Sequence, residues 1–179
     1  NRGGGFFSSN GTSTFENVVF HSNTSQNGGG AYLENSISEI NKCVFHNNHA
    51  SVGGGAIDSN SSDITIDGAT IACNSIDEPS MGGSSIDVKD TSSTTLVKNS
   101  IIQNNTGGTL DIDIQGESWW YYNNCEDDDC TTWNYSDNTN LNSDPMFIYL
   151  NDCVEPDLNL QFASPCIDTG DPDSELDPD

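Results

Sequence analysis

Along the first hundred residues the apolar side chains fall in short runs at alternate positions, and polar or glycine-rich breaks separate the runs. Phe15, Val18 and Phe20 are followed by Ile37, Ile40, Cys43 and Phe45, then by Ile64, Ile66, Ala69 and Ile71. Alternation of this kind, rich in β-branched and aromatic residues and bounded by Gly, Asn and Ser, predicts short half-buried strands. Nothing in it supports a helix of ten residues, so helical solenoids are excluded.

The runs repeat. Glycine clusters at Gly3-Gly4-Gly5, Gly28-Gly29-Gly30 and Gly53-Gly54-Gly55 recur every 25 residues, and Gly82-Gly83 and Gly107-Gly108 continue the series. A second mark, an apolar residue three before an asparagine, occurs as Phe20 to Asn23, Phe45 to Asn48, Ile71 to Asn74 and Ile101 to Asn104. Aligned on it, Phe15, Ile40, Ile66 and Leu96 form one column, and Val18, Cys43, Ala69 and Asn99 another. A single unit of this length cannot cover its own apolar side. Stacking equivalent strands in parallel, about 4.8 Å per rung, makes one continuous core. The expected fold is an all-β, right-handed single-stranded parallel β-helix, a solenoid of four rungs over residues 1–114. Residues 115–179 are expected to form an irregular C-terminal excursion and capping segment that is disulfide-stabilised and ends in an acidic tail. Asn23, Asn48, Asn74 and Asn104 are the expected structural ladder, because a turn asparagine tolerates left-handed backbone and its amide both donates and accepts along the stack.

The repeats Gly28-Gly29-Gly30-Ala31 and Gly53-Gly54-Gly55-Ala56, with Phe20-His21-Ser22-Asn23 and Phe45-His46-Asn47-Asn48, resemble those of polymorphic outer-membrane-type β-helix proteins. The C-terminal stretches Ser143-Asp144-Pro145-Met146-Phe147 and Ser164-Pro165-Cys166-Ile167-Asp168-Thr169-Gly170-Asp171-Pro172 are similar to the ending of many bacterial secreted right-handed β-helix proteins. The resemblance implies a surface-displayed solenoid associated with adhesion.

Charge narrows the partners. Four Lys and Arg against 28 Asp and Glu give a formal net charge of −24, which opposes phosphate backbones and anionic lipid. Nucleic acid is therefore excluded as a partner, and no apolar stretch reaches the length of a membrane span. An extracellular or cell-surface setting fits, where dissolved cations screen the self-repulsion. Six cysteines point the same way: the spacings of Cys125 with Cys130 and of Cys153 with Cys166 predict two local disulfides in an oxidising compartment. Cys43 and Cys73, inside the repeats, are expected as small core residues.

Candidate chemistry is sparse. Catalysis by a polysaccharide lyase or hydrolase is the alternative to a structural role, since that fold also carries such enzymes. A lyase needs a base and cations, and Arg2, Lys42, Lys89 and Lys98 are the whole basic inventory. A hydrolase needs two placed carboxylates, and among Asp58, Asp63, Asp67 and Asp87 the pair Asp58 and Asp87 is aligned in consecutive rungs. No glycosidase motif surrounds them, so the expectation is a non-enzyme. His21 and His46 are equivalent in adjacent rungs, with His49 nearby, and are read as a stacked surface pair rather than a transition-metal site. Asp168, Asp171, Asp173, Glu175 and Asp177 present hard oxygens at intervals that suit calcium, the one cofactor considered, or form a solvated acidic tail. Trp119, Trp120, Tyr121, Tyr122, Trp133 and Tyr135 are read as a satellite core under the excursion, with a sugar-stacking platform as the alternative. Sequons stand at Asn10, Asn23, Asn60, Asn104 and Asn134, of which Asn23 and Asn104 are expected to be shielded in the ladder. The first rung opens on Gly3-Gly4-Gly5 with a bare strand edge, so the expected partners are further rungs of the same chain or identical subunits end to end, with carbohydrate or a host surface as ligand.

Overall fold

A computed structural model describes residues 1–125, 139–150 and 153–173. The chain winds through five turns of parallel strand. The first holds β1 (Phe6–Ser9), β2 (Thr12–Glu16), β3 (Val19–His21) and β4 (Thr24–Asn27). The second holds β5 (Ala31–Glu34), β6 (Ile37–Asn41), β7 (Val44–His46) and β8 (His49–Gly53), and the third β9 (Ile57–Asn60), β10 (Asp63–Asp67), β11 (Thr70–Ala72) and β12 (Ser75–Ile76). β13 (Gly83–Val88), β14 (Thr94–Lys98) and β15 (Ile101–Gln103) make the fourth; β16 (Leu110–Ile114), β17 (Glu117–Tyr121) and β18 (Asn124–Cys125) make the fifth. Equivalent strands pair into three five-stranded parallel sheets, and β4, β8 and β12 into a three-stranded one. β19 (Phe147–Tyr149) and β20 (Asp157–Leu160) form an antiparallel pair beyond the solenoid.

The core is built from alternate residues of each strand, as the pattern requires. Phe20, Phe45 and Ile71 lie in one register, and Phe15, Ile40 and Ile66 in another. Phe20 and Phe45 stack with centroids 4.6 Å apart and 10° between planes. In each of the first three rungs four turn positions carry a residue at positive φ. Asn17, Lys42, Gly68, Asn99 and Tyr122 fill one such column, and Ser22, Asn47, Cys73 and Asn104 another. Left-handed backbone costs an ordinary L-residue roughly 1–2 kcal/mol, which is why asparagine is recruited so often here.

The next residue in each turn caps the rung before it. The Asn23 N–H donates to Asn48 Oδ1 at 3.1 Å, Asn48 N–H to Asn74 Oδ1 at 3.0 Å, and Asn74 N–H to Asn105 Oδ1 at 2.8 Å. The Asn48 and Asn74 amides in turn donate to the carbonyls of Phe20 and Phe45. A second ladder runs from Ala69 N–H to Ser100 Oγ, from Ser100 N–H to Asn123 Oδ1 and from Asn123 N–H to Asn140 Oδ1. A third uses serine, with Ser36 N–H on Ser62 Oγ and Ser62 N–H on Ser93 Oγ.

Four expectations are corrected. In the fourth rung the register is one residue later than expected: Ile102, not Ile101, pairs with Ile71, and Val97, not Leu96, pairs with Ile66. Ser100 replaces Asn99 in the turn column, and Asn105 replaces Asn104 in the ladder. The rung contains apolar doublets Leu96-Val97 and Ile101-Ile102 and the doublet Asn104-Asn105, so its spacing fits either register. The core selects one, because a one-residue slip would turn every inward side chain outward. Secondly, the solenoid does not end at residue 114. β17 pairs with β14 through Leu96↔Trp119 and Val97↔Trp120, and β18 pairs with β15.

Thirdly, the aromatic segment is therefore a strand of the fifth rung. Trp120 is fully buried in the main core column while Trp119 points outward, so they do not share a satellite core. Trp133 and Tyr135 lie outside the described residues. Finally, Cys153 does not pair with Cys166: it is bonded to Cys73, with Cα atoms 5.4 Å apart, and Cys166 is a free thiol. Cys73 occupies a left-handed turn whose side chain faces the returning C-terminal segment. Cys153 lies against Asn104 of the fourth rung, with Asn104 Nδ2 to Sγ at 3.0 Å, while Cys166 lies against Asn124 of the fifth, at 2.8 Å. The two halves of the expected bridge are thus held at different rungs. Cys125 is a disulfide cysteine; its expected partner Cys130 lies outside the described residues. Cys43 is free and fully buried, in the core as expected.

Candidate functional site

The most concentrated chemistry lies on the outer face of the sheet formed by β1, β5, β9, β13 and β16. Residues that alternate outward from these strands stack as Phe7, Tyr32, Asp58, Asp87 and Asp113. Asp58 and Asp87 are direct neighbours in parallel strands, as the alignment of their rungs implies. Asp58 is 0 % exposed and Asp87 2 %.

Lys89, one residue beyond β13, folds back over both. Its Nζ is an ion-pair partner of Asp58 Oδ2 at 2.5 Å and of Asp87 Oδ2 at 3.3 Å. Asn27 Nδ2 donates to the same Asp58 oxygen at 3.0 Å. Asp58 Oδ1 is buried without a hydrogen-bond partner. Gly53 and Gly82 frame the Asp87 carboxylate, and a Cβ at either would collide with it. Above the acids, Arg2 bonds Glu34 at 2.6 Å and covers the Tyr32 ring at 4.9 Å, with Phe7 stacked on that ring at 5.9 Å.

Two buried carboxylates with one ammonium leave a net negative charge out of water, and the protonation of the cluster responds. Burial raises Asp58 above the usual carboxylate range, with Lys89 and the Asn27 amide pulling the other way. Burial, followed by the Asp58 charge, pushes Asp87 up to about 7 against the pull of Lys89. For Lys89 burial acts downward, but the two carboxylates more than offset it and its pKa is raised. These are the responses expected when carboxylates share a water-poor site. The sequence placed Asp58 and Asp87 together; Lys89, one residue beyond β13, and Asn27, the last residue of β4, are marked by no motif.

The remaining candidates are dispersed. His21 and His46 stack with centroids 5.3 Å apart and 8° between planes, and parallel rings at that separation do not aim their nitrogens at one ion. Burial, then His21, lowers the pKa of His46. The pair lines an open groove of about 630 Å³ with Asn47, Glu155 and Pro156. His49 instead bonds Ser75 at 3.0 Å and approaches Asp77 at 3.3 Å.

Asp63 and Asp67 lie apart from the carboxylate pair, on β10; Asp67 holds Lys98 at 3.0 Å. Of the acids considered for calcium, Asp171 N–H donates to Asn99 Oδ1 and Asp173 N–H to Asp171 Oδ1; Asp168 is at positive φ, and Glu175 and Asp177 lie outside the described residues. Among the described residues no three His, Cys, Asp or Glu side chains gather as a metal site. Trp119 lines a shallow groove of about 330 Å³ with Ile37, Glu39, Asp63, Thr65 and Leu96. Of the sequons, Asn23 is engaged in the ladder and Asn104 on the Cys153 sulfur, Asn10 is exposed in a turn, and Asn134 lies outside the described residues.

A family model described as the right handed beta helix region matches residues 1–145. No curated protein and no solved structure matches the chain.

Proposed function

We propose, from the premise that this chain belongs to the right-handed β-helix family, that it is an extracellular structural or adhesive module, a rigid rod displayed at a cell surface or built into filaments, of the polymorphic outer-membrane type. The observation that carries this reading is the continuity of the stack. Three of the four sheets run through all five rungs and side-chain ladders link successive turns, so the body is stiff along its axis and the strands of the first rung offer the same register to another rung. A further rung of the same polypeptide or an identical subunit fits that register, since a parallel strand edge is a template for another.

The alternative reading, a carbohydrate-active enzyme, would draw on Asp58 and Asp87. Both are closed to solvent behind Lys89 and Asn27, whereas a glycosidase needs its two carboxylates on either side of a bound sugar. The groove beside Trp119 and the one beside His21 and His46 are the surfaces on which a rod would hold a glycan without cutting it. Incubation with neutral and uronate polysaccharides separates the readings. A structural or adhesive module leaves chain length unchanged, with or without binding. New reducing ends or unsaturated uronates that disappear in the Asp87→Asn variant would replace this proposal with the enzymatic one.

A further inference from the structure

We propose that Lys89 and Asp58 react with each other to form an intramolecular amide bond, with Asp87 as the internal acid, which staples the third and fourth rungs covalently on the outer face of the solenoid. The required groups are already in contact. Lys89 Nζ lies 2.5 Å from Asp58 Oδ2, and Asp87 Oδ2 lies 3.3 Å from the same nitrogen. Asn27 Nδ2 donates to Asp58 Oδ2, so the oxygen that must become the amide carbonyl is already polarised. The other oxygen, Oδ1, has no hydrogen-bond partner and is the one that departs.

The environment favours the product. The Asp58 carboxylate is fully buried while Lys89 is one-third exposed, and conversion to a neutral amide removes the buried carboxylate charge together with that of its partner. Water, which would reverse the reaction, is kept out by the burial of Asp58 and Asp87. Positioning removes most of the entropic barrier, since nucleophile and carbonyl carbon are fixed on neighbouring rungs.

The step balances within the cluster. Lys89 passes one proton by way of Asp87 to Asp58 Oδ1, and the neutral amine attacks Asp58 Cγ, leaving the second proton for the collapse. Asp87 takes a proton from the attacking nitrogen and delivers one to Oδ1. The Cγ–N bond forms, the Cγ–Oδ1 bond breaks, and one water leaves, with Asp87 returned to its starting state. No oxidant, reductant or activated co-substrate is needed. Burial raises Asp58 and Asp87 and so makes them better acceptors, while their charges hold the proton on Lys89.

The test is the mass of the folded, purified 179-residue chain after reduction and unfolding. The expected value is about 18 Da below the sequence mass, the weight of one water, and proteolysis should yield a branched peptide joining the Lys89 and Asp58 segments. Lys89→Arg and Asp87→Asn should each return the full mass. A wild-type chain at full sequence mass overturns the proposal. So does a loss that persists in Lys89→Arg, which would assign the missing water to cyclisation elsewhere, as at Asp67-Gly68. Neither result touches the rod reading, which rests on the stack and not on this cluster.

Discussion

Asn48 shows how a single side chain holds three rungs together. Its Oδ1 accepts from the Asn23 backbone and amide, while its Nδ2 reaches the Phe20 carbonyl and Asn74 Oδ1, and the residue is fully buried. Truncation to alanine orphans several of these groups at once, at a cost on the order of 1–3 kcal/mol for each one left unpaired. Equilibrium denaturation of Asn48→Ala should therefore show a loss larger than that of Asn47→Ala, whose side chain bonds only Ser22 at an exposed site. Phe45, 0 % exposed and stacked on Phe20, should lose about 3–5 kcal/mol on replacement by alanine, the usual range for a large-to-small change in a packed core. Asp87 sets a pH dependence. Its folded value of about 7 lies above the unfolded carboxylate value near 3.9, so the folded state binds the extra proton between them. The stability it contributes is fully present below the unfolded value and is lost as pH rises through about 7. Melting temperature should fall between about pH 4 and pH 7, and Asp87→Asn should flatten that slope; an unchanged slope would mean that other carboxylates control it.

At the scale of elements, the sequence was informative where one residue type stands alone in its rung and silent where neighbours are doubled. Phe20 and Phe45 each have a single register, and both are where the alternation puts them. In the fourth rung Ile101-Ile102 and Asn104-Asn105 satisfy the spacing twice, and only three-dimensional packing separates them. Asn105→Ala should accordingly cost more stability than Asn104→Ala; the reverse order would restore the register expected from spacing. The fifth rung was hidden for a related reason: Trp119-Trp120-Tyr121-Tyr122 masks its alternation with four consecutive aromatics, yet only Trp120 enters the core column. The carboxylate pair was legible because both acids follow a glycine cluster by similar intervals. The Lys89 contact was not, because it depends on the curl of the chain after β13. Long-range disulfides are equally invisible to spacing, and Cys73 with Cys153 closes 80 residues of sequence. Its removal by Cys73→Ser should cost about 2–4 kcal/mol, measured by denaturation under non-reducing conditions.

For the whole molecule the dominant quantities are the continuous stack and the net charge of −24. Such a charge strains the compact state by self-repulsion that dissolved ions screen within about 8 Å at physiological ionic strength. Stability should therefore rise as salt increases from about 0.01 M to about 0.15 M, and end-to-end association should strengthen over the same range. The same field disfavours anionic partners, other copies of this chain included, until salt screens the shared charge. End-to-end stacking, in which strands β1 to β4 pair with a further rung, is checked by sedimentation velocity on this chain over a concentration series in salt. The prediction is association into species whose frictional ratio grows with mass, as stacking along one axis requires. A stable, compact monomer at every concentration, with the first-rung backbone fully solvated, would contradict it.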